Sequence, residues 1–197
     1  MDLIIDIGNT LQKLAVFDEK EKIVHFGQQK RLTLTLLEGL LAQYPVKNAI
    51  VSSVREQDGA LLHWLEKRVR LVRFTPNCRL PITIRYADSK TLGTDRIANA
   101  VGANTLYPQK NVLSIMAGTC LVADFVNENG EYLGGSIAPG VQMRFQALSK
   151  FTARLPYVEP KRTDFFMGDN TEKSILSGVM NGITQEIEGL IRQYSRK

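Results

Sequence analysis

The chain has 197 residues, 44% of them hydrophobic, which suits one large domain or two small ones with a buried core. Its 25 basic and 20 acidic residues leave a formal charge of +5, which favours anionic ligands, but basic and aromatic residues do not interleave as nucleic-acid binding requires. No apolar run reaches the roughly 20 residues that span a bilayer, and no basic segment precedes the first strand. We therefore expect no nucleic-acid or membrane partner, no signal peptide, and a cytoplasmic location.

The first residues of the chain predict a phosphate-binding turn. The apolar run Leu3-Ile4-Ile5 leads directly into Asp6-Ile7-Gly8-Asn9-Thr10. This pattern predicts a strand with a carboxylate at its tip, followed by a turn in which Gly8 lets backbone N–H groups approach an anion. Lys13 follows the turn, where its ammonium is placed to meet a phosphoryl group; the alternative is a lysine at a solvated strand end.

This opening pattern occurs a second time in the second half of the chain. Both copies consist of apolar stretches joined by turns, with strands at 3–5, 14–17 and 23–26 in the first and at 112–115, 121–125 and 132–135 in the second. The repeat predicts a duplicated domain. Overlaying Gly8 on Gly118 puts Asp6 opposite Met116, so the second copy carries a thioether where the first carries a carboxylate.

Each of the two copies predicts a β-meander, which is three consecutive strands joined by turns. The spacing of apolar residues between and after the two meanders predicts helices alternating with strands. Predicted helices are 36–44, 61–69, about 96–105, about 143–150 and a long final helix with apolar residues at 175, 179, 183, 187 and 191, and predicted strands are 49–54, 71–74 and 82–86. We therefore expect an α/β fold with two mixed sheets, in an N-terminal domain of residues 1–108 and a C-terminal domain of residues 109–197. By analogy with the first domain, a strand and a helix would complete the second, which we expect to be shortened at its C-terminus.

The segment Leu92-Gly93-Thr94-Asp95-Arg96 joins a predicted loop to the start of a helix. Asp95 has two interpretations. It caps the helix, a role worth about 1 kcal/mol, or it faces a ligand between the two domains. An acid beside an arginine, together with the turn at Asp6, fits phosphoryl transfer, in which an acid orients or deprotonates a hydroxyl and an arginine holds an anionic substrate.

Several motifs occur in order along almost the whole chain: Asp6-Ile7-Gly8-Asn9-Thr10, Tyr86 with Leu92-Gly93-Thr94-Asp95-Arg96, Ala117-Gly118-Thr119, the glycine-containing stretch 133–140, and Gly168-Asp169-Asn170-Thr171. At these residues the chain resembles the type III pantothenate kinases, which belong to the superfamily of acetate kinase, sugar kinases, Hsp70 and actin. The resemblance implies two RNase H-like domains per subunit and a cytoplasmic homodimer. It also implies ATP-dependent phosphorylation of pantothenate, the first step of coenzyme A biosynthesis.

The resemblance further implies a role for each motif residue. Asp95 would be the general base, and the ATP phosphates would be held by Asp6, Ile7, Gly8, Asn9, Thr10, Leu11, Gln12 and Lys13, with Thr119 as a second contact. Asp6 would help hold Mg²⁺, a cation that oxygen ligands favour. Pantothenate would be contacted by Tyr86, Gly93, Thr94, Asp95 and Arg96, and by Thr171 across the dimer. The structural alternatives are a half-buried strand position for Tyr86 and a helix cap for Thr171 or Asn170.

Two departures from the family pattern leave another interpretation open. The family has an aspartate at the position of Met116, where it is associated with a monovalent cation such as K⁺ or NH₄⁺, and a thioether is a weak ligand for such an ion. Ser114, Asp124 or a backbone carbonyl would replace it, or the enzyme works without the ion, or it is impaired. Family members also continue beyond residue 197, through a glycine turn near the adenine. The alternative is therefore a catalytically impaired relative acting as a ligand-binding or regulatory protein. A hydrolase or another sugar-type kinase on the same scaffold is a third interpretation.

Overall fold

The computed structural model of the protein describes residues 1–8, 10–53, 59–88 and 91–196. The chain divides into two compact units. The first comprises Met1–Pro81 and Ala87–Val101, and the second comprises Ile82–Tyr86 and the chain from Gly102 onward. The division into domains at residue 108 stays a prediction.

The first unit contains a five-stranded mixed sheet. Its elements are β1 (Asp2–Ile7), β2 (Gln12–Phe17), β3 (Ile23–Gln29), α1 (Leu34–Gln43), β4 (Asn48–Ser53), α2 (Gly59–Glu66), β5 (Arg70–Arg73) and the start of α3 (Thr94–Leu106). In the strand order β3-β2-β1-β4-β5, the first three strands form an antiparallel meander, and β4 and β5 are added parallel to β1. Parallel neighbours need a crossover connection, which α1 and α2 provide.

The core of the first unit lies on one face of this sheet. Leu3 and Ile5 in β1 are fully buried, and Leu37 of α1 and Leu65 of α2 are fully buried in the same cluster. Side chains alternate between the two faces of a strand, so the core residues of β1 fix the register and put Asp6 on the opposite face. The same alternation of side chains along β1 therefore buries Leu3 and Ile5 in the core and places Asp6 on the other face of the sheet.

The second unit repeats the meander in a four-stranded mixed sheet. Its elements are β6 (Thr83–Ile84), β7 (Val112–Ala117), β8 (Cys120–Val126), β9 (Glu131–Pro139), α4 (Val141–Lys150) and α5 (Thr171–Tyr194). The order is β6-β9-β8-β7, in which β7, β8 and β9 are antiparallel and β6 runs parallel to β9. Phe145 of α4 and Leu176 of α5 are buried together in its helical core. The duplicated meander and the α/β class with two mixed sheets are confirmed.

Some predicted boundaries differ from the structure. Helix α3 begins at Thr94 rather than near residue 96, and the strand predicted over 82–86 is paired only at Thr83–Ile84. The prediction that Val69 is helical is wrong. Helix α2 ends at Glu66, and the Val69 N–H donates to the Leu65 carbonyl in the turn before β5, where its side chain is still buried. The predicted end of β4 at Val54 lies outside the described residues.

The helices of the described ranges include none with the length and apolar character needed to cross a bilayer.

Two glycines in the second unit predict opposite effects of an added methyl group. A Cβ at Gly135 in β9 would lie 1.8 Å from the Ala123 carbonyl oxygen of β8, whereas a Cβ at Gly189 in α5 would have no atom within 4 Å. We expect Gly135→Ala to lower the free energy of unfolding by roughly 2 kcal/mol or more, because two backbones must separate. Gly189→Ala should be neutral or stabilising by up to about 1 kcal/mol. Urea unfolding of both variants checks this, and equal stability of the two would contradict the close approach of β8 and β9.

Candidate active site

A row of polar side chains crosses three strands of the first unit. Asp6 in β1 pairs with Lys13 of β2 in the antiparallel register and with Ser52 of β4 in the parallel register. Directly paired residues of neighbouring strands point to the same face, so all three side chains lie on the face opposite the core. Lys13 is exposed, and Asp6 and Ser52 are partly buried.

The turn between β1 and β2 follows Asp6 closely. A Cβ at Gly8 would lie 3.0 Å from the Leu11 carbonyl oxygen, so a side chain there would crowd the turn. Thr10 is exposed, and Asn9 lies outside the described residues. Gln12 at the end of the turn is only 2% exposed, and its Oε1 accepts the Leu32 N–H at 2.5 Å. The side chain of Gln12 therefore connects the start of β2 to the segment between β3 and α1.

Asp95 lies in the first turn of α3. The Ile97 N–H donates to the Gly93 carbonyl at 3.1 Å, and Asp95 Oδ1 accepts the Arg96 N–H at 2.9 Å. Since the helix begins at Thr94, Asp95 is its second residue rather than its cap, although one carboxylate oxygen satisfies a free helix N–H. The carboxylate is otherwise at an exposed position, and a carboxylate is favourable at the positive end of a helix dipole.

Gly93 lies against this carboxylate. A Cβ at Gly93 would come within 2.5 Å of Asp95 Oδ1, so any larger residue would turn the carboxylate away from its present direction. Arg96, the next residue of the motif, is only 6% exposed although it is charged. Gly93 leaves space for the Asp95 carboxylate, and the Arg96 N–H donates a hydrogen bond to it.

Asp6 and Asp95 interact electrostatically within the first unit. Burial is the largest cause that raises the pKa of Asp6 above its ordinary value; Lys13 acts in the opposite direction, and the negative charge of Asp95 raises the pKa further. The Asp95 carboxylate is therefore close enough to disfavour ionisation of Asp6. A cation bound between them and a phosphate would relieve this repulsion.

Ser52 is a site residue that the sequence analysis did not identify. Its hydroxyl forms a hydrogen bond of 2.9 Å with the hydroxyl of Thr94, the first residue of α3. The sequence held part of the signal, because Ser52 follows the apolar run Ala49-Ile50-Val51 at the end of a predicted strand. The structure adds that this strand is parallel to β1 and ends at the same edge of the sheet.

Ile7, the last residue of β1, is buried in the first unit, whereas Tyr86, Thr119 and Thr171 lie in the second unit. Tyr86 is half-buried, and its ring lies 3.5 Å from the Cβ position of Gly134, a residue whose φ of 105° favours glycine. The Tyr86 ring is also 6.1 Å from the ring of Tyr132, whose hydroxyl donates to Asp124 at 2.7 Å. Tyr86 is thus half-buried, as its structural alternative predicted, but it lies beyond the end of β6 at Ile84 and not on a strand.

Thr119 and Thr171 occupy exposed positions in the second unit. Thr119 lies in the turn between β7 and β8, and its carbonyl accepts the Gly140 N–H at 3.1 Å. Thr171 is the first residue of α5, but the cap is Asn170, whose Oδ1 accepts the Lys173 N–H at 2.9 Å. Capping therefore accounts for Asn170 and not for the side chain of Thr171.

The residues around Asp6 fit a magnesium ion better than the residues around Met116 fit a monovalent cation. Mg²⁺ is commonly held by one or two carboxylates together with substrate phosphates and water, and a bound cation would favour the ionised form of Asp6, which burial disfavours. In the second unit, Met116 is paired with Val122, and the carboxylate of Asp124 is fully buried and bonded to Tyr132. Across the described ranges, no three His, Cys, Asp or Glu side chains are grouped as metal ligands.

Comparison with known proteins gives a consistent result. The sequence profile of the type III pantothenate kinase family matches residues 2–193. A type III pantothenate kinase from Christiangramia forsetii is 43% identical over 198 residues, which cover 100% of this chain and 82% of that protein. One from Cytophaga hutchinsonii is 43% identical over 197 residues, which cover 100% of this chain and 82% of that protein.

A solved structure supports the fold alone. It is a Campylobacter jejuni protein described as a member of the Baf family, with a TM-score of 0.57 and 19% identity, over 95% of this chain and 78% of that one. The two mixed sheets, each containing a meander, agree with the RNase H-like, actin-like ATPase fold that the resemblance to the family implied. With a profile match over residues 2–193, the chain belongs to the type III pantothenate kinase family.

The pKa of Asp6 provides a test of the site geometry that needs no substrate. Because the charge of Asp95 raises this pKa, we expect Asp95→Asn to lower it, and because Lys13 lowers it, we expect Lys13→Met to raise it. Carbon-detected NMR titration of the aspartate carboxyl groups measures both shifts. Asp164→Asn, which removes an exposed carboxylate in the second unit, is the control and should leave Asp6 unchanged. An Asp6 titration that does not respond to Asp95→Asn would put the two carboxylates out of electrostatic reach.

Proposed function

We propose that this chain uses ATP to phosphorylate pantothenate to 4′-phosphopantothenate, the first step of coenzyme A biosynthesis. The family match over residues 2–193 carries this proposal. In support of it, Asp6 and Asp95 both lie in the first unit, and the negative charge of Asp95 raises the pKa of Asp6. A fold alone would not assign a reaction, whereas a family match with this site does.

In the proposed reaction, Asp95 is the general base. The terminal hydroxyl of pantothenate gives its proton to the Asp95 carboxylate while its oxygen forms a bond to the γ-phosphorus of ATP. The bond between that phosphorus and the bridging oxygen breaks, and its electron pair stays on ADP. The exposed position of Asp95 at a helix N-terminus, with one oxygen bonded to the Arg96 N–H, leaves its other oxygen for the substrate.

The ATP phosphates are held, in this proposal, by residues 6–13 and by Thr119. Lys13 lies beside Asp6 on the same sheet face and supplies a positive charge for the phosphoryl group. Asp6 would hold Mg²⁺, which offsets negative charge on the phosphates when it is bound. The glycine at position 8 keeps the turn open for backbone N–H groups to approach the anion.

Pantothenate recognition is proposed for Tyr86, Gly93, Thr94, Asp95, Arg96 and Thr171. Pantothenate carries a carboxylate, for which the guanidinium of Arg96 is a suitable partner. We also propose a homodimer, in which Thr171 contributes to the partner's site. A groove of about 850 Å³ in the second unit, lined by α4 and α5, includes Thr171 and the 79% exposed Phe151, and this apolar surface suits a subunit contact.

Release of ADP by the purified chain tests the function directly. A coupled assay with ATP, Mg²⁺ and pantothenate should show ADP formation that depends on pantothenate and is absent when pantothenate is omitted. Binding of pantothenate or ATP without any ADP above background would instead favour the catalytically impaired relative, the interpretation that Met116 supports.

Loss of the Asp95 carboxylate should affect chemistry more than nucleotide binding. We expect Asp95→Asn to lower kcat by roughly two to four orders of magnitude, because the amide cannot take the hydroxyl proton. The dissociation constant for ATP, measured by calorimetry, should change little. Asp164→Asn is the matched control and should keep full turnover. An Asp95→Asn variant with a near-normal rate would remove this residue from the mechanism.

The thioether at position 116 predicts independence from monovalent cations. Since Met116 is a weak ligand for such ions and Asp124 is fully buried, we expect equal turnover in potassium and sodium buffers at matched ionic strength. Met116→Asp should create a dependence on potassium, whereas the control Met116→Leu should not. Potassium-stimulated turnover of the unchanged chain would show that another group replaces the family aspartate.

A further inference from the structure

The bond between Ser52 and Thr94 connects two parts of the first unit that are distant in sequence. The two hydroxyls are 2.9 Å apart across a separation of 42 residues. The other two hydrogen bonds described at the start of α3, from Ile97 to Gly93 and from Arg96 to Asp95, are local to the helix end. The Ser52–Thr94 bond is therefore the one of these three that attaches the helix start to the sheet.

Ser52 lies next to Asp6 in the sheet, and its bonding partner Thr94 lies next to Asp95 in the chain. Ser52 is the partner of Asp6 in the parallel register of β1 and β4, and paired strands lie about 4.8 Å apart. Thr94 immediately precedes Asp95. The Ser52–Thr94 bond thus joins the sheet neighbour of Asp6 to the chain neighbour of Asp95. Asp6 and Asp95 are the two carboxylates of the site.

We propose that Ser52 is a positioning residue for phosphoryl transfer: its hydroxyl, through Thr94, sets where the Asp95 carboxylate lies relative to Asp6. This inference rests on the proposed kinase function, because it assigns Ser52 to that reaction. Ser52 does not itself need to touch ATP or pantothenate. Its effect is carried by the start of α3.

The physical reason is the sensitivity of proton and phosphoryl transfer to geometry. A displacement of about 1 Å at a reacting group can cost about a hundredfold in rate. The start of a helix is also the part of that element most prone to fraying, because its first N–H groups lack partners within the helix. A hydroxyl–hydroxyl bond to a central strand restrains that end next to the base.

Three variants separate this role from a general effect on folding. Ser52→Ala removes the hydroxyl, Ser52→Thr keeps it on a residue suited to a strand, and Ser149→Ala removes a hydroxyl that bonds to Gln146 on α4. We expect Ser52→Ala to lower kcat for pantothenate by about 10- to 100-fold with the KM for ATP changed by less than about twofold. Ser52→Thr should recover kcat to within about threefold of that of the unchanged chain. The control Ser149→Ala should have the same kcat as the unchanged chain. Thermal unfolding midpoints of the two alanine variants should fall by similar amounts, within about 4 °C.

A double-mutant cycle tests the path through Thr94. In a Thr94→Val background the hydroxyl partner is already absent, so adding Ser52→Ala should change kcat by less than about twofold. A further tenfold loss in that background would show that Ser52 acts by another route and would overturn the inference.

The same measurements distinguish the kinase function from the role of Ser52. Pantothenate-dependent ADP release by the unchanged chain, with normal kcat in Ser52→Ala, would contradict the role of Ser52 and leave the kinase function standing. No ADP release by the unchanged chain would overturn the proposed function and the role of Ser52 with it. A loss in Ser52→Ala that Ser52→Thr does not restore, although both are folded, would also overturn the inference.

Discussion

The alternation of side chains along β1 is the constraint on which the site depends. Leu3, Ile5 and Ile7 are almost fully buried, so the strand cannot shift by one residue without exposing its whole core face. That register obliges Asp6 to lie on the opposite face, in line with Lys13 and Ser52. The packing of the first unit therefore decides which chemical groups are presented together, before any ligand is considered.

This arrangement has an energetic cost that a ligand can offset. The pKa of Asp6 is raised above its ordinary value of 3.8, so its ionised form is disfavoured more in the folded chain than in the unfolded one. Linkage then gives the sign: this contribution to stability is fully present below about pH 3.8 and is lost as the pH rises through the folded pKa. At neutral pH, Asp6 works against folding. A group kept at such a cost beside a second carboxylate is typical of a functional site.

The sequence was sufficient for the features that have a local signal. The alternation in the meanders, the four-residue repeat of the last helix and the glycine turns predicted the elements and the α/β class, and the duplication predicted the second sheet. The Ser52–Thr94 bond and the burial of Gln12 were not accessible in this way, because each depends on contacts across many residues. The error at Val69 has a similar cause, since tertiary packing buries this residue after the helix has ended.

The two units divide the proposed roles unequally. Asp6, Lys13, Ser52, Thr94 and Asp95 lie in the first unit, which holds the charged groups of the reaction, whereas Tyr86, Thr119 and Thr171 lie in the second. In the second copy of the meander, Met116 stands at the position that corresponds to Asp6, so the duplication has kept the scaffold and not the carboxylate. One acidic strand tip is enough for the proposed chemistry, because Asp95 supplies the other carboxylate from a helix.

The central claim is that Asp6 and Asp95 share one site with a nucleotide phosphate and its magnesium ion. The most direct measurement is the NMR titration of Asp6 in the presence of saturating ATP and Mg²⁺ without pantothenate, compared with the free chain. The account predicts that the raised pKa of Asp6 falls below its ordinary value when the cation neutralises the carboxylates. An Asp6 pKa that stays unchanged while calorimetry shows that ATP and Mg²⁺ are bound would contradict the account.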